Sequence, residues 1–220
     1  MTVFSSLPPA EQARQLANPD GQIGIDVAEW MNENNRVING QILTLLRVQP
    51  GNYVLEIGFG NGRAASAIFG QAEDVQYMGI DISPTMIEEA CRFNSQFIAS
   101  GHAEFRFASA EQMPFANETF DRVLSVAVMH FWQDPLPSLR EIYRVMRSGA
   151  IGVMSAVDPE TRPGFAQPEF GFFLRSASEW SSLARECGFQ TVDTQSIETE
   201  QRTPDGKITK RKSLRLIVQR

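Results

Sequence analysis

The chain of 220 residues carries 42% hydrophobic and 21% charged residues, and its net charge is −6 at pH 7. This composition is typical of globular proteins, and the length favours one domain with additions over two domains. No apolar run approaches the roughly 20 residues that a membrane-spanning helix needs. The N-terminus lacks the basic start and apolar stretch of a signal peptide. The two cysteines, Cys91 and Cys187, are too few for a disulfide framework and lack metal-ligand spacing. We therefore expect a cytoplasmic protein without a metal site.

The charge is unevenly distributed along the chain. Residues 202–220 hold seven basic residues against Asp205, a local net charge of +6, which leaves −12 for residues 1–201. Nucleic-acid phosphates require clustered Lys and Arg, so an acidic body argues against nucleic acid as a partner. We expect the basic run to be the solvated end of a terminal strand, because charge runs usually face water.

Short β-rich runs alternate with helical patterns along most of the chain. The predicted strands are residues 53–57, 75–80, 104–108, 122–129 and 150–157, and the predicted helices are residues 63–69, 85–99, 136–146 and 177–187. Several strands are apolar nearly throughout, as expected where helices cover both faces of a sheet. Capping signals support two helix starts, at Ser83-Pro84 and at Ser176 with Glu179. The alternation predicts a doubly wound, mostly parallel α/β fold with helices on both faces.

The end of the chain departs from this alternation. Two strand candidates, at residues 190–198 and 213–219, are separated only by a polar stretch with the turn signal Asp205-Gly206. This predicts a closing hairpin and therefore one antiparallel strand. We divide the single domain into a helical segment (1–50), an alternating core (51–157), a long loop (158–175), and a last helix with the hairpin (176–220).

A glycine-rich loop follows the first predicted strand. In LEIGFGNG (55–62), glycines 58, 60 and 62 lie between a strand and a helix, where a ligand can approach a backbone without Cβ atoms. Asp81 ends the second predicted strand, at the edge of the sheet where open α/β folds bind ligands. A carboxylate there can accept hydrogen bonds from both hydroxyls of a ribose. The strand, glycines, helix, strand and acid in this order predict a nucleoside site.

The spacing of the glycines bears on which nucleoside binds. Dinucleotide enzymes favour G-x-G-x-x-G, whereas this loop has G-x-G-x-G with Arg63 at the place of the third glycine. Glu56, two residues before the first glycine, cannot help to bind a pyrophosphate. It can orient the loop or face an ammonium group through water, which favours a nucleoside that carries a zwitterionic amino acid.

These residues resemble the class I S-adenosylmethionine-dependent methyltransferases, in particular the small-molecule branch with ubiquinone/menaquinone and sterol methyltransferases. The resemblance covers roughly residues 50–200. Its blocks are VLEIGFGNGRAASAI, GIDISPTMIEEA, ASAEQMPFANETFDRVLSVAVMHFWQDP, LREIYRVMRSGAIGVM and LARECGF. It implies a seven-stranded sheet of order 3-2-1-4-5-7-6 with strand 7 antiparallel, which agrees with the predicted hairpin. It also implies that residues 1–50 form a lid, that the core 51–157 binds the cofactor and that the loop 158–175 lies near the substrate pocket.

The resemblance also implies roles for individual residues around S-adenosylmethionine. Gly58, Gly60 and Gly62 would line its methionine and ribose part, with Glu56 beside them, and Asp81 would hold the ribose. The remaining cofactor candidates are Ile82 and Met86 on the adenine, Ser109, Ala110 and Glu111 near the adenine edge, and Val126 and Ala127 by the methionine. Ser109 replaces an Asp that is common in the family.

The methyl acceptor is expected to be a small molecule. Methyl transfer from a sulfonium is an in-line displacement, for which the protein mainly positions a nucleophile and excludes water. His130 follows the fourth strand and is the candidate general base. The candidate substrate-pocket residues are Trp30, Phe131, Trp132 and Phe172, with Phe165, Phe170 and Phe173 on the same long loop.

Two other functions remain as alternatives. A nicotinamide-dependent oxidoreductase is disfavoured by the glycine spacing and by the lack of a recognisable Tyr/Lys or Cys/His catalytic pair. A non-catalytic regulatory protein that binds S-adenosylmethionine is the second alternative. A homodimer is compatible with the sequence.

Overall fold

A seven-stranded sheet forms the centre of the computed structural model, which describes residues 3–161, 166–203 and 206–220. The strand order is β3-β2-β1-β4-β5-β7-β6, as expected from the resemblance. All neighbours are parallel except β7, which runs antiparallel to both β5 and β6. The strands are β1 Tyr53–Ile57, β2 Gln76–Asp81, β3 Ala103–Phe107, β4 Phe120–Ser125, β5 Met146–Val157, β6 Thr191–Arg202 and β7 Ile208–Gln219.

Helices cover both faces of the sheet. They are α1 Pro9–Ala17, α2 Gly21–Leu46, α3 Ala65–Phe69, α4 Pro84–Phe93, α5 Ser95–Ala99, α6 Leu136–Val145 and α7 Ala177–Glu186. Alternate residues of β1 enter different cores: Val54 packs with α2, α3 and α4, whereas Leu55 packs with α6 and α7. This explains why the strand is apolar without interruption. None of the described helices is long and apolar enough to cross a membrane.

Several element boundaries differ from those predicted. The helix expected over residues 85–99 breaks into α4 and α5 at Asn94, whose Nδ2 donates to the carbonyls of Gly62 (3.0 Å) and Ala90 (2.9 Å). The fourth strand ends at Ser125 instead of residue 129. β5 begins at Met146, directly after α6, and its pairing with β4 shifts register before Ile151. Both predicted helix starts are correct, since Ser83 and Ser176 cap α4 and α7 with their side chains.

The closing hairpin is present and longer than predicted. Its strands pair from Thr191 with Gln219 to Arg202 with Ile208. Of the predicted turn, Gly206 has a positive φ of 89°, and Asp205 lies outside the described residues. The expectation that the whole basic run is solvated is wrong, because Arg211 and Arg215 are buried on one face of β7.

The segment between β5 and α7 contains two short 3₁₀ helices, at Pro159–Thr161 and Pro168–Phe170. Phe172 is buried, and the amide of Phe173 donates to the carbonyl of His130 at 2.7 Å. This contact holds the segment against the turn that follows β4. Phe165 lies outside the described residues.

Candidate active site

The glycine loop turns sharply at the end of β1. Gly58, Gly60 and Gly62 have φ values of 71°, 60° and 71°, a left-handed region that residues with a Cβ rarely adopt. The amide of Gly58 continues the sheet by donating to the carbonyl of Ile80 at 2.8 Å. A Cβ added to Gly60 would meet no atom within 4 Å, so open space lies in front of this backbone. The loop therefore leaves room for a ligand at Gly60.

Gly62 has a different role from the one expected. A Cβ there would approach Ala90 Cβ of α4 at 2.6 Å, closer than side chains tolerate. Gly62 does not line the cavity described below; it lets the loop pack directly on α4. The missing side chain therefore serves packing inside the protein.

Asp81 lies at the end of β2, opposite the glycine loop. Its Oδ2 accepts the Gly60 amide at 3.0 Å and its Oδ1 accepts the Ser83 amide at 2.9 Å. Burial raises the pKa of this carboxyl to about 6, and the backbone hydrogen bonds oppose the rise. The carboxylate is thus fixed by two amides at the wall of the cavity.

Glu56 is a second buried acid near the loop. Its Oε2 accepts the hydroxyl of Tyr77 at 2.8 Å. Burial is the main cause that raises the pKa of Glu56 to about 7, and the Asp81 charge adds to the rise, whereas the Tyr77 hydrogen bond lowers it. The two carboxyls beside the glycine loop, Glu56 and Asp81, therefore both have pKa values close to neutral pH.

A cavity of about 260 Å³, here called the main cavity, opens at the carboxyl ends of β1, β2 and β4. It brings together twelve residues that the sequence analysis selected: Glu56, Gly58, Gly60, Asp81, Ile82, Ser109, Ala110, Glu111, Val126, Ala127, Phe131 and Trp132. Met86 is not among them. It is fully buried in the core between α4 and the sheet, so the expectation that it packs on adenine is wrong.

One end of the main cavity presents Ile82 beside the turn at residues 109–111. The Ile82 side chain is 46% exposed, unusual for a large aliphatic residue beside buried Asp81. The Ser109 hydroxyl accepts the Glu111 amide at 3.2 Å, so it closes its own turn. An exposed apolar side chain next to a polar turn suits a planar heterocycle with polar edges.

The backbone changes direction where β4 ends. Ala127 has a φ of 57°, a conformation that is costly for a residue with a Cβ. Its amide donates to the Ser155 hydroxyl of β5 at 2.9 Å, which holds the turn in place. Strain of this kind is concentrated at functional sites, and Ala127 lines the main cavity.

A smaller pocket of about 40 Å³, here called the side pocket, adjoins the main cavity. The two share Leu16, Met31, Asn35, Ala127 and Phe131 as wall residues. The side pocket is further lined by Trp30, Asn34, His130, Val157, Phe172 and Arg211. Of the four residues predicted to line a substrate pocket, Trp30, Phe131 and Phe172 line the side pocket, whereas Trp132 lines only the main cavity.

His130 is not suited to the predicted role of general base. Its Nδ1 accepts the Val157 amide at 3.3 Å, and its ring stacks on Phe172 with centroids 5.3 Å apart. Burial is the main cause that lowers the pKa of His130 to about 3, and the nearby Arg211 charge lowers it further. A group this weakly basic stays neutral and holds its one proton on Nε2. His130 therefore carries an N–H group at Nε2 and lacks the basicity that proton removal requires.

Arg211 enters the side pocket from β7. It is 9% exposed, and no described carboxylate pairs with it. Burial lowers the pKa of its guanidinium to about 10, and its Nε has no hydrogen-bond partner. Even at that pKa the side chain is a cation at neutral pH. The side pocket thus contains a buried, unpaired positive charge.

The long helix α2 is tied to the glycine loop. Asn32 Nδ2 donates to Asn61 Oδ1 at 2.9 Å, and Asn61 Nδ2 donates to Glu29 Oε1 at 3.3 Å. Arg63 forms an ion pair with Glu29 at 2.9 Å. These contacts place α2 over the same loop that carries Gly60, so the helix forms one wall of the main cavity.

Arg175 is held by protein atoms. Its guanidinium donates to the backbone carbonyls of Trp132 (2.9 Å), Phe173 (3.1 Å) and Gln133 (2.5 Å). It clamps the loop after β5 onto the turn after β4, and these contacts use three of its five N–H donors.

Residues 55–154 match a family model described as "Methyltransferase domain". This stretch of the chain resembles a methyltransferase domain, which is consistent with the class I enzymes. The matched residues run from β1 to the middle of β5, so they include the glycine loop, Asp81 and the turn after β4. The resemblance stated on sequence grounds is confirmed, and with it S-adenosylmethionine as the cofactor.

Two relatives and one solved structure show the range of this similarity. An O-methyltransferase of Pyrenophora dematioidea is 28% identical over 78% of this chain and 66% of its own length. The uncharacterized methyltransferase YdaC of Bacillus subtilis is 27% identical over 75% of this chain and 86% of its own. The chain therefore spans about two thirds of the fungal relative.

The solved structure of a SAM-dependent methyltransferase from Aquifex aeolicus superposes with a TM-score of 0.65. The two are 18% identical, and the match covers 97% of this chain and 98% of that one. At this identity the similarity shows the shared fold alone. Neither alternative function, the nicotinamide oxidoreductase nor the regulatory protein, gains support from these comparisons.

Sequence reasoning missed Arg211 and the contact between Asn32 and Asn61. The alternation of β7 was the available signal for Arg211, since Lys210 and Lys212 point to the face opposite Arg211. The basic composition of the segment concealed it. The partner of Asn32 is 29 residues away, and no local pattern reports such a contact.

Proposed function

We propose that the chain transfers a methyl group from S-adenosylmethionine to a small molecule, which binds where the side pocket meets the main cavity. The observation that carries this is the open space before Gly60, opposite the fixed carboxylate of Asp81, in a cavity that shares wall residues with a second pocket. A cofactor and an acceptor need such adjoining sites for in-line transfer.

The residues present fit the cofactor. Asp81 would accept the ribose hydroxyls, Ile82 would pack on the adenine, and Ser109, Ala110 and Glu111 would surround its edge. The backbone of Gly58 and Gly60, with Val126 and Ala127, would hold the methionine part near Glu56. The bound cofactor supplies an activated methyl group on a sulfonium and leaves as a neutral thioether.

The remaining chemistry falls to the chain's own side chains. Phe131 and Ala127 line both the main cavity and the side pocket, so they exclude water from the reacting atoms and orient the acceptor. His130 donates through Nε2 and does not remove a proton. An acceptor that is already ionised at neutral pH needs no base, and we propose oxygen as the accepting atom. The name of the fungal O-methyltransferase supports this choice.

We also propose that the chain is one methyltransferase domain whose residues 1–50 form a lid. The contacts of Asn32 with Asn61, and of Glu29 with Arg63, support this because they join α2 to the glycine loop. A cytoplasmic location, which the free thiols of Cys91 and Cys187 suit, and a homodimer complete the proposal.

Calorimetric titration tests the proposed function. The protein is titrated with S-adenosylmethionine, S-adenosylhomocysteine and NADH, and the titrations are repeated with Asp81→Ala. Micromolar binding of the two adenosyl ligands that is lost in the variant is the expected result. Binding of NADH alone, or no binding by a folded protein, would contradict the proposal.

A further inference from the structure

The side pocket is lined by six separated parts of the chain, and four of them supply the groups that matter here. α2 contributes Trp30 and Asn35, the turn after β4 contributes His130, the loop before α7 contributes Phe172, and β7 contributes Arg211. Its volume of about 40 Å³ compares with roughly 10–15 Å³ for one water molecule on the same measure. The space admits a group of a few heavy atoms and is too small for a ring.

The charge on Arg211 lacks a protein partner while its neighbours along β7 have one. Lys210 pairs with Glu198 at 2.7 Å, and Lys212 pairs with Glu160, both on the opposite face of the hairpin. Arg211 is directly paired across the hairpin with Thr199, which brings no charge. A buried cation needs a compensating anion or hydrogen bonds, and the described residues supply no carboxylate here.

Two other polar side chains of the pocket wall, Trp30 and His130, carry N–H donors. Trp30 Nε1 is buried without a hydrogen-bond partner. His130 has its proton on Nε2, because Nδ1 accepts the Val157 amide. Asn34 is already satisfied, since its Nδ2 donates to the Trp30 carbonyl and its Oδ1 accepts the Arg202 amide. Donors around an unpaired guanidinium select a ligand rich in acceptor atoms.

The side walls restrict the shape of that ligand. His130 and Phe172 stack with an interplanar angle of 10°, and Phe131 meets Phe172 edge to face at 4.9 Å. Flat aromatic walls beside a guanidinium suit a planar anion, which Arg can bind through two parallel hydrogen bonds.

We propose that the methyl acceptor carries a carboxylate that binds Arg211 in the side pocket, while the rest of the acceptor extends past Phe131 toward the main cavity. This inference rests on the proposed function, because it assigns the substrate class of the same site. Arg211 is a specificity-determining residue in this assignment. An acceptor with a neutral amide at that place leaves the guanidinium buried and unpaired, so it is rejected.

The test uses benzoate as the probe and benzamide as its uncharged counterpart. Calorimetry is performed on the full chain at saturating S-adenosylhomocysteine with wild type, Arg211→Met, Arg211→Lys and the control Lys210→Met, which loses the same charge from the exposed face. We expect the wild type to bind benzoate and not benzamide. Arg211→Met should weaken benzoate roughly tenfold or more. Arg211→Lys should retain part of the affinity, and Lys210→Met should match the wild type.

The outcomes separate the two proposals. Equal binding of benzoate and benzamide, no benzoate binding to the wild type, or equal losses in Arg211→Met and Lys210→Met would overturn the inference. Phenyl phosphate that binds through Arg211 more tightly than benzoate would overturn the choice of carboxylate. S-adenosylhomocysteine affinity, measured on the same samples, should be equal in all four proteins. If the wild type does not bind S-adenosylhomocysteine, the proposed function is refuted independently of the benzoate result.

Discussion

Gly60 donates its amide to Asp81 Oδ2 at 3.0 Å and so joins the loop after β1 to the end of β2. The bond spans two neighbouring parallel strands at their carboxyl ends, where open α/β sheets bind ligands. It fixes the carboxylate before any ligand arrives, and a preorganised group loses less entropy on binding.

The pKa of Asp81 predicts how cofactor affinity depends on pH. Burial raises this pKa to about 6, and hydroxyl donors bind the ionised carboxylate more strongly than the neutral acid. Lowering the pH from 7.5 to 5 leaves about a tenth of the groups ionised, so affinity for S-adenosylhomocysteine should fall roughly tenfold. Calorimetry over this range measures the change. Asp81→Asn should bind more weakly at pH 7.5, and its profile should lack this decline; parallel profiles for both proteins would assign the titration to another group.

Gly60 and Gly62 provide a matched pair for the glycine loop. Both have a positive φ, so alanine costs about 1 kcal/mol of stability at either place. At Gly60 the added methyl group enters open space, where it should obstruct the cofactor and lower affinity at least tenfold with little further loss of stability. At Gly62 it collides with Ala90, so Gly62→Ala should lower the melting temperature more than Gly60→Ala. Thermal unfolding and calorimetry of both variants measure these effects, and an equal loss of affinity with equal stability would contradict the assignment.

The raised pKa of Glu56 predicts that the stability difference between the wild type and Glu56→Gln depends on pH. Its folded-state pKa of about 7 exceeds the ordinary value of 4.5, so the folded protein binds more protons than the unfolded chain between these pH values. Stability contributed by this group is therefore lost as the pH rises through that window. Glu56→Gln retains an acceptor for Tyr77 and carries no charge, so it should stabilise the protein at pH 8 by about 1–3 kcal/mol.

Urea unfolding at pH 8 and pH 4 tests this prediction for Glu56. The advantage of Glu56→Gln should disappear at pH 4, where the wild-type carboxyl is protonated in both states. A constant difference at both pH values would show that the substitution acts through packing.

The order of elements, the glycine loop and Asp81 could be predicted because each has a local signal. Apolar runs of strand length, glycines at a strand end and Ser83 before Pro84 depend on neighbouring residues alone. Met86 could not be assigned, because the periodicity of α4 places it on the inner face of a helix in either role. Whether that face meets the cofactor or the core depends on how far α4 lies from the loop, and Gly62 sets that approach.

The burial of Arg211 illustrates a different limit. In an exposed hairpin its charge would be ordinary. The alternation of β7 sets Arg211 on the face opposite Lys210 and Lys212, but it does not tell which of the two faces is covered. The position of α2 decides the difference, since Trp30 and Asn35 of that helix close the pocket over one face of the strand. A contact between residues so far apart in sequence depends on the complete fold.

Arg211→Met should stabilise the protein in the absence of ligand. The guanidinium is 9% exposed and without a carboxylate among the described residues, so its burial opposes folding. Methionine fills similar space with an apolar side chain, and replacement of buried charges by apolar groups commonly stabilises by about 1–3 kcal/mol. For a chain of this size the melting temperature should rise by roughly 2–10 °C. Differential scanning calorimetry without added anions measures it, with Lys210→Met as the exposed control that should leave the melting temperature unchanged. A decrease for Arg211→Met would mean that the protein itself already compensates this charge, and the ligand would then not be needed to do so.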